Sequence, residues 1–191
     1  MNKLEERLNQ IENKIKEKSF RENKGLGNEV GYYVFDYPAN REIRVRNYIN
    51  NLKEKHDSKI KGFELVVYDL YDLMLDYIEE EGLYEVCVQM EEDHGLSYLI
   101  KSVVDLLKMG GEENYFTKYI ENNTPDNSVV FVTGVGKIFP FVRSHDILNK
   151  LNQTFDRVPV VLFYPGEYDG HTLKLFSEFT DDHYYRALSL I

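Results

Sequence analysis

Two hydrophobic periods alternate along this chain. Short runs rich in β-branched and aromatic residues occupy 31–35, 63–68, 129–132 and 158–163, and each reads as a strand. Apolar residues at helical spacing follow three of them. These are Val45, Tyr48, Ile49 and Leu52 after the first, Leu70, Leu73, Met74, Tyr77 and Ile78 after the second, and Ile147, Leu148 and Leu151 after the third. Residues 83–122 read as helical throughout, broken at Gly95 and at Gly110 and Gly111, and form a helical insertion between the second and third strands. Strand, helix and strand in these lengths make βαβ crossovers, which force neighbouring strands parallel. The expected architecture is α/β, in three layers, with a mainly parallel sheet of about five strands. Parallel strands end on one edge, so Asp36, Asp69, Thr133 and Tyr164 should line it, and ligands or partners of open α/β sheets meet the protein outside that edge.

The two ends of the chain follow other patterns. In residues 2–18, Leu4, Leu8, Ile11 and Ile15 form a narrow apolar stripe on a charged helix. Such a thin seam packs either on its own domain or on another chain, the latter giving a homo-oligomer through 2–18. Gly25 and Gly27 close this segment, which divides the chain into an N-terminal amphipathic helix at 1–24 and a single α/β domain at 25–191. Near the C-terminus, 173–176 and 185–190 alternate with period two and read as further strands joined through 180–183, with an antiparallel pairing open.

Candidate chemistry gathers after the third and fourth strands. Thr133-Gly134-Val135-Gly136 and Tyr164-Pro165-Gly166 read as turns, and the parallel arrangement sets them side by side. Tyr168-Asp169-Gly170 reads as an Asx-type turn. Thr133, Gly134, Gly136, Arg143, His145, Tyr164, Gly166, Tyr168, Asp169 and Gly170 are therefore the expected partner-binding surface. Its glycines let backbones approach closely, and its Tyr and Arg side chains are those that dominate interface energetics. Arg143 is either the centre of that surface or a structural fork holding Asp169 or loop carbonyls.

Enzymatic alternatives find little support in the spacing. A P-loop would need a glycine where Phe131 stands and a hydroxyl residue where Ile138 stands. A dinucleotide fingerprint would need a third glycine at Phe139. His145, His171 and His183 show no metal-ligand spacing, and Ser144 lacks the frame of a nucleophile elbow, so it reads as a helix cap. Arg41, Arg44 and Arg46 crowd the start of the first crossover helix, as either an anion site or ordinary surface arginines. No catalytic residue, metal or cofactor is expected.

Longer motifs carry a resemblance. TGVGxxFPFxRSH at 133–145, FYPGxYDGxxLxLF at 163–176 and YYRA at 184–187 are joined upstream by GLGNEV at 25–30, FDYP at 35–38, Val45-Arg46 and YDL at 68–70. Together they resemble the BrxB family of the BREX bacteriophage-defence systems. The resemblance implies a non-enzymatic interaction or scaffold subunit. Its implied partners are the PglZ-type protein of the alkaline-phosphatase superfamily and the large ATPase of the same system. The competing reading is a small-molecule or nucleotide-binding, or hydrolytic, component that uses the loop edge at 133–171.

Composition narrows the partners. The 191 residues carry a net charge of −10, which argues against a dedicated nucleic-acid binder. Residues 62–93 hold eleven acids and neither Lys nor Arg, so this stretch is either an interface for a basic partner or a solvated face that favours solubility. Cys87 is the only cysteine and reads as a small, buried or half-buried hydrophobe. No run reaches membrane-span length and no secretory signal opens the chain, so a soluble cytoplasmic protein is expected.

Overall fold

The computed structural model describes residues 3–22, 31–55, 62–111, 114–181 and 187–191. In chain order the elements are α1 (Lys3–Lys16), α2 (Lys18–Arg21), β1 (Tyr32–Tyr37), α3 (Glu42–Lys55), β2 (Glu64–Asp69), α4 (Leu70–Glu80), α5 (Tyr84–His94), α6 (Leu96–Leu106) and α7 (Tyr115–Asn123). There follow β3 (Ser128–Thr133), α8 (Val135–Ile138), α9 (Ser144–Thr154), β4 (Val160–Tyr168), β5 (Leu173–Leu175), β6 (Phe179–Asp181) and β7 (Leu188–Ser189). Five strands run parallel in the order β2-β3-β4-β1-β7, and β5 and β6 add an antiparallel extension to β4.

The layers follow from the alternation of side chains along each strand. Phe35, Tyr37, Leu65, Val129, Phe131, Val161 and Phe163 point to one face, where α1 and α3 cover them. Tyr32, Val34, Tyr68, Val130, Val132, Val160, Leu162 and Tyr164 point to the other, under α4, α6, α7, α8 and α9. Strands covered on both faces need apolar residues at consecutive positions, which explains the unbroken Val129-Val130-Phe131-Val132 and Val160-Val161-Leu162-Phe163 runs.

The stripe on α1 packs on its own domain. Leu4, Leu8, Ile11 and Ile15 are all buried in the layer shared with α3, so it leaves no seam for a second chain. Arg7 fixes the helix across the start of the edge: it donates to the Asp36 carboxylate at 2.7 Å and the Asp36 carbonyl at 2.8 Å while lying over the Phe35 ring. Arg44 makes a two-pronged pair with Glu5 of α1, at 2.7 and 2.6 Å, and Arg46 pairs with Glu42. Two of the arginines that crowd α3 thus pair with neighbouring acids.

Residues 83–122 form α5, α6 and α7, which part at Gly95 and in a turn through 107–111, and Asn114 caps α7 by accepting from Thr117 N. Two expectations are corrected. Tyr164-Pro165-Gly166 is not a turn: β4 continues through it to Tyr168. Pro165 is tolerated because β3 pairing ends at Leu162 and β5 pairing begins at Gly166. A strand residue's N and C=O face the same side. The Pro165 carbonyl accepts from Phe176 N at 2.9 Å, so the missing N–H faces a gap where no ladder bond is made. Last, β5 finds its antiparallel partner in β6, while the final described strand, β7, returns to the far edge and runs parallel to β1. Residues 185 and 186 of the second expected strand, and 182 and 183 of its expected connection, lie outside the described residues.

Because α1 supplies a fully buried stripe, Ile11→Ala should destabilise the whole domain by about 2–5 kcal/mol. Chemical denaturation should show this as one cooperative transition moved to lower denaturant. Loss of α1 signal alone, with the rest unmoved, would contradict it.

Candidate functional site

The strands end level. Asp69 pairs with Thr133 across β2 and β3, Val132 with Leu162 across β3 and β4, and Asp36 with Tyr164 across β4 and β1. The four expected edge residues therefore lie on one line at the carboxyl ends. The chain leaves β1 for α3 on one face and leaves β2 and β3 for helices on the other, which opens space along this edge.

That space divides in two. On the α3 side a polar cleft of about 290 Å³ is lined by Tyr37, Glu42, Arg46, Asp69, Asp72, Thr133 and Lys137, among others. Lys137 pairs with Asp69 at 2.7 Å and with Asp72 at 2.8 Å, and Tyr37 donates its hydroxyl to Glu42 at 2.5 Å. Desolvation alone would lower the Lys137 pKa; the two carboxylates outweigh it and the net direction is up. Burial, reinforced by the Glu42 charge, pushes the Tyr37 phenol up as well. Asp69 also caps α4, accepting from Tyr71 N and Asp72 N. Arg46 and Lys137 are paired with carboxylates of the cleft, and Lys53 lines it as a further cation.

Gly134 holds this arrangement together. It takes a left-handed conformation, φ +78°, and a Cβ there would lie 2.2 Å from Asp69 Oδ1. Only glycine lets β3 turn into α8 while Asp69 stays in place.

On the opposite face lies an apolar groove of about 320 Å³ between the α8–α9 junction and the β5–β6 extension. Phe139, Val142 and Arg143 form one wall, Leu175, Glu178, Phe179 and Thr180 the other, with Tyr164 also lining it. Phe139, Phe176 and Phe179 meet as an aromatic trio, at ring-centre distances of 6.1, 5.2 and 6.4 Å. Phe179 is nonetheless 50% exposed. Arg143 is exposed at the N-cap position of α9; its carbonyl accepts from Asp146 N, and its side chain makes no hydrogen bond or ion pair among the described residues. The expected structural fork to Asp169 is not formed.

Asp169 is occupied elsewhere. Its carboxylate accepts from Thr172 N, His171 N and the Thr172 hydroxyl, at 2.7, 2.8 and 2.9 Å, closing the tip between β4 and β5 as an Asx turn. Those bonds, first the one from the Thr172 amide, lower its pKa to about 2.

Seven of the ten expected site residues fall in three places. Thr133 and Gly134 border the polar cleft. Arg143 and Tyr164 belong to the groove, but Tyr164 is buried rather than reaching outward. Tyr168, Asp169 and Gly170 sit at the hairpin tip, where the Tyr168 hydroxyl donates to the Ala187 carbonyl. Gly136 and Gly166 are packing positions. A Cβ on Gly136 would press on Phe176 and Pro165, and one on Gly166 would lie 2.1 Å from the Lys174 carbonyl. His145 falls in the first turn of α9, as does Ser144; their side chains lie outside the described residues. Arg143, not Ser144, occupies the cap position. The aromatic trio and the Lys137 pairs escaped sequence reading. The available signal was the apolar Phe139-Pro140-Phe141 next to a charged helix start, and Phe176 and Phe179 three residues apart in a turn. Among the described residues no group of three or more His, Cys, Asp or Glu side chains is placed to hold a metal ion. No helix among them is long and apolar enough to cross a membrane.

Fold and edge define an open, parallel α/β domain whose carboxyl side carries one polar cleft and one aromatic groove. The chain belongs to the BrxB family: the family described as BREX protein BrxB matches residues 66–190. It is 44% identical over 193 residues to the BREX protein BrxB of Bacillus cereus (strain H3081.97), covering 100% of this chain and 99% of the relative. To the BREX protein BrxB of Escherichia coli O9:H4 (strain HS) it is 33% identical over 188 residues, covering 98% and 92%. No solved structure matches the chain.

Two outcomes test this geometry. Gly166→Ala should weaken the β4–β5 hairpin severely, since its Cβ would meet backbone rather than a movable side chain. Thermal unfolding should show a clear fall in midpoint, and an unchanged one would refute the close approach. For Asp169, a depressed folded pKa means that the turn's stabilisation is present above about pH 4, the unfolded value, and is lost as pH falls through about 2. The amide resonances of His171 and Thr172 should therefore titrate with a midpoint near 2. A midpoint near the ordinary carboxylate value would show the bonds absent, and Asp169→Asn should remove the step.

Proposed function

We propose that the chain is a non-enzymatic interaction subunit of a BREX phage-defence complex and that a partner chain docks in the groove around Arg143. One observation carries this reading. An exposed arginine with no partner among the described residues stands beside an aromatic surface with a half-exposed Phe179. Arginine and aromatic side chains around an apolar pocket are the residue types that dominate binding energy at protein interfaces. The wall opposite Arg143 carries Glu178, so a partner segment would be apolar at its centre and offer a hydrogen-bond acceptor to the guanidinium.

The relatives' shared name as BREX proteins supports placing the chain in that system. The PglZ-type protein is the first partner to test, and the large ATPase of the same system the second. Action in the cytoplasm follows from the same proposal.

Co-expression of the tagged chain with the PglZ-type protein and the large ATPase tests the proposal. Arg143→Ala should leave the melting temperature nearly unchanged, because an exposed side chain without bonds contributes about 0.5 kcal/mol or less to stability. The same variant should lose most of the co-purified partner and of the defence phenotype. A variant that keeps both partner and defence would overturn the groove reading. A large thermal shift on adding nucleotides with Mg²⁺, Mn²⁺ or Zn²⁺ would instead favour a ligand-binding role, since a ligand at a hundredfold its Kd adds about 2.7 kcal/mol.

A further inference from the structure

α5 is a helix without an interior. None of its residues is buried; it is held to the core only through the half-buried Leu83 that precedes it, Cys87 and Met90. Burial raises the Cys87 thiol pKa, in keeping with a packing role. With α6 it carries Tyr84, Val86, Val88, Leu96 and Tyr98, five of the eight large apolar side chains most exposed among the described residues. A solvated helix that favours solubility would be polar on these faces. A shallow groove of about 330 Å³ runs along one side of α5, lined by Glu85, Val86, Gln89, Met90, Asp93 and His94. Val86 and Met90 give it an apolar surface, and Glu85 and Asp93 border it.

The formal charge on α5 itself is of one sign. Glu85, Glu91, Glu92 and Asp93 form no ion pair among the described residues, and no Lys or Arg occurs between 62 and 93. Nucleic acid and anionic lipid are repelled by such a face, and a second copy of α5 would meet its own charge. The complementary occupant is a basic, apolar-studded segment.

We propose that the α5 groove is a docking site for a basic amphipathic helix of another protein, which seats an apolar side chain on Val86 and Met90 and Lys or Arg against Glu85 and Asp93. This site is separate from the Arg143 groove and does not depend on it.

The probe is a fluorescent amphipathic peptide of leucine and lysine, about five helical turns long, titrated into the full chain by anisotropy. Its counterpart of leucine and glutamate is the charge control. The lysine peptide should bind, more weakly as salt rises, and the glutamate peptide should not. Val86→Ser, which leaves the charge unchanged, and the double variant E85K/D93K should each weaken binding about tenfold. E54K/E167K changes the net charge equally at exposed positions elsewhere and should bind like wild type, as should Arg143→Ala. Failure of the wild type to bind, unchanged affinity in Val86→Ser, or equal weakening in E54K/E167K would each overturn the proposal. So would sedimentation showing a dimer that Val86→Ser dissociates, because the occupant would then be a second copy. Loss of partners in Arg143→Ala with peptide binding intact would uphold this site whatever becomes of the other groove.

Discussion

β4 sits between β1 and β3, and the register of those two ladders decides where everything else falls. Val160 pairs at once with Tyr32 and Val130, and the three strands then run level to their carboxyl ends. A shift of one residue in β4 would exchange its two faces. Val161 and Phe163 would turn toward α9, and Leu162 and Tyr164 toward α3. Both faces are apolar, so hydrophobicity alone does not forbid that slip; side-chain shape does. Phe163 packs between Phe35 and Phe131 at ring-centre distances of 5.5 and 4.8 Å, in a layer sized for three adjacent rings. That aromatic row pins the sheet, and the sheet edge carries both clefts.

The central strands and crossover helices were legible because each is a local pattern: a run of β-branched residues, or apolar positions three and four apart. The Asp69 cap on α4 is equally local, since its partners lie two and three residues ahead. Features that depend on distant segments were not. Pro165-Gly166 carries the local signature of a turn, yet the gap between two successive partner strands lets the strand run on. β7 lies parallel to β1 through a return path that no local period encodes. The candidate surface was partly visible through Arg143, while its aromatic neighbours come from two segments some forty positions apart and meet only in the fold.

The glycines divide by what they do rather than by where they lie. Gly134 and Gly166 answer to contacts from other parts of the chain, a carboxylate in one case and a carbonyl in the other. Gly170 meets open space and serves the hairpin tip alone. The sequence presents all three in the same turn-like company, which is why one expected surface resolves into three places.

β4 is one uninterrupted strand from the middle of the core to the hairpin tip. Its first half is clamped between two parallel neighbours, and its second half carries the wall of the aromatic groove. A cantilever of this kind cannot swing without straining the ladder at its root. The β4 side of the groove is therefore held in shape by the sheet itself. If a partner docks there as proposed, much of the ordering cost of association would fall on the partner's segment rather than on this wall.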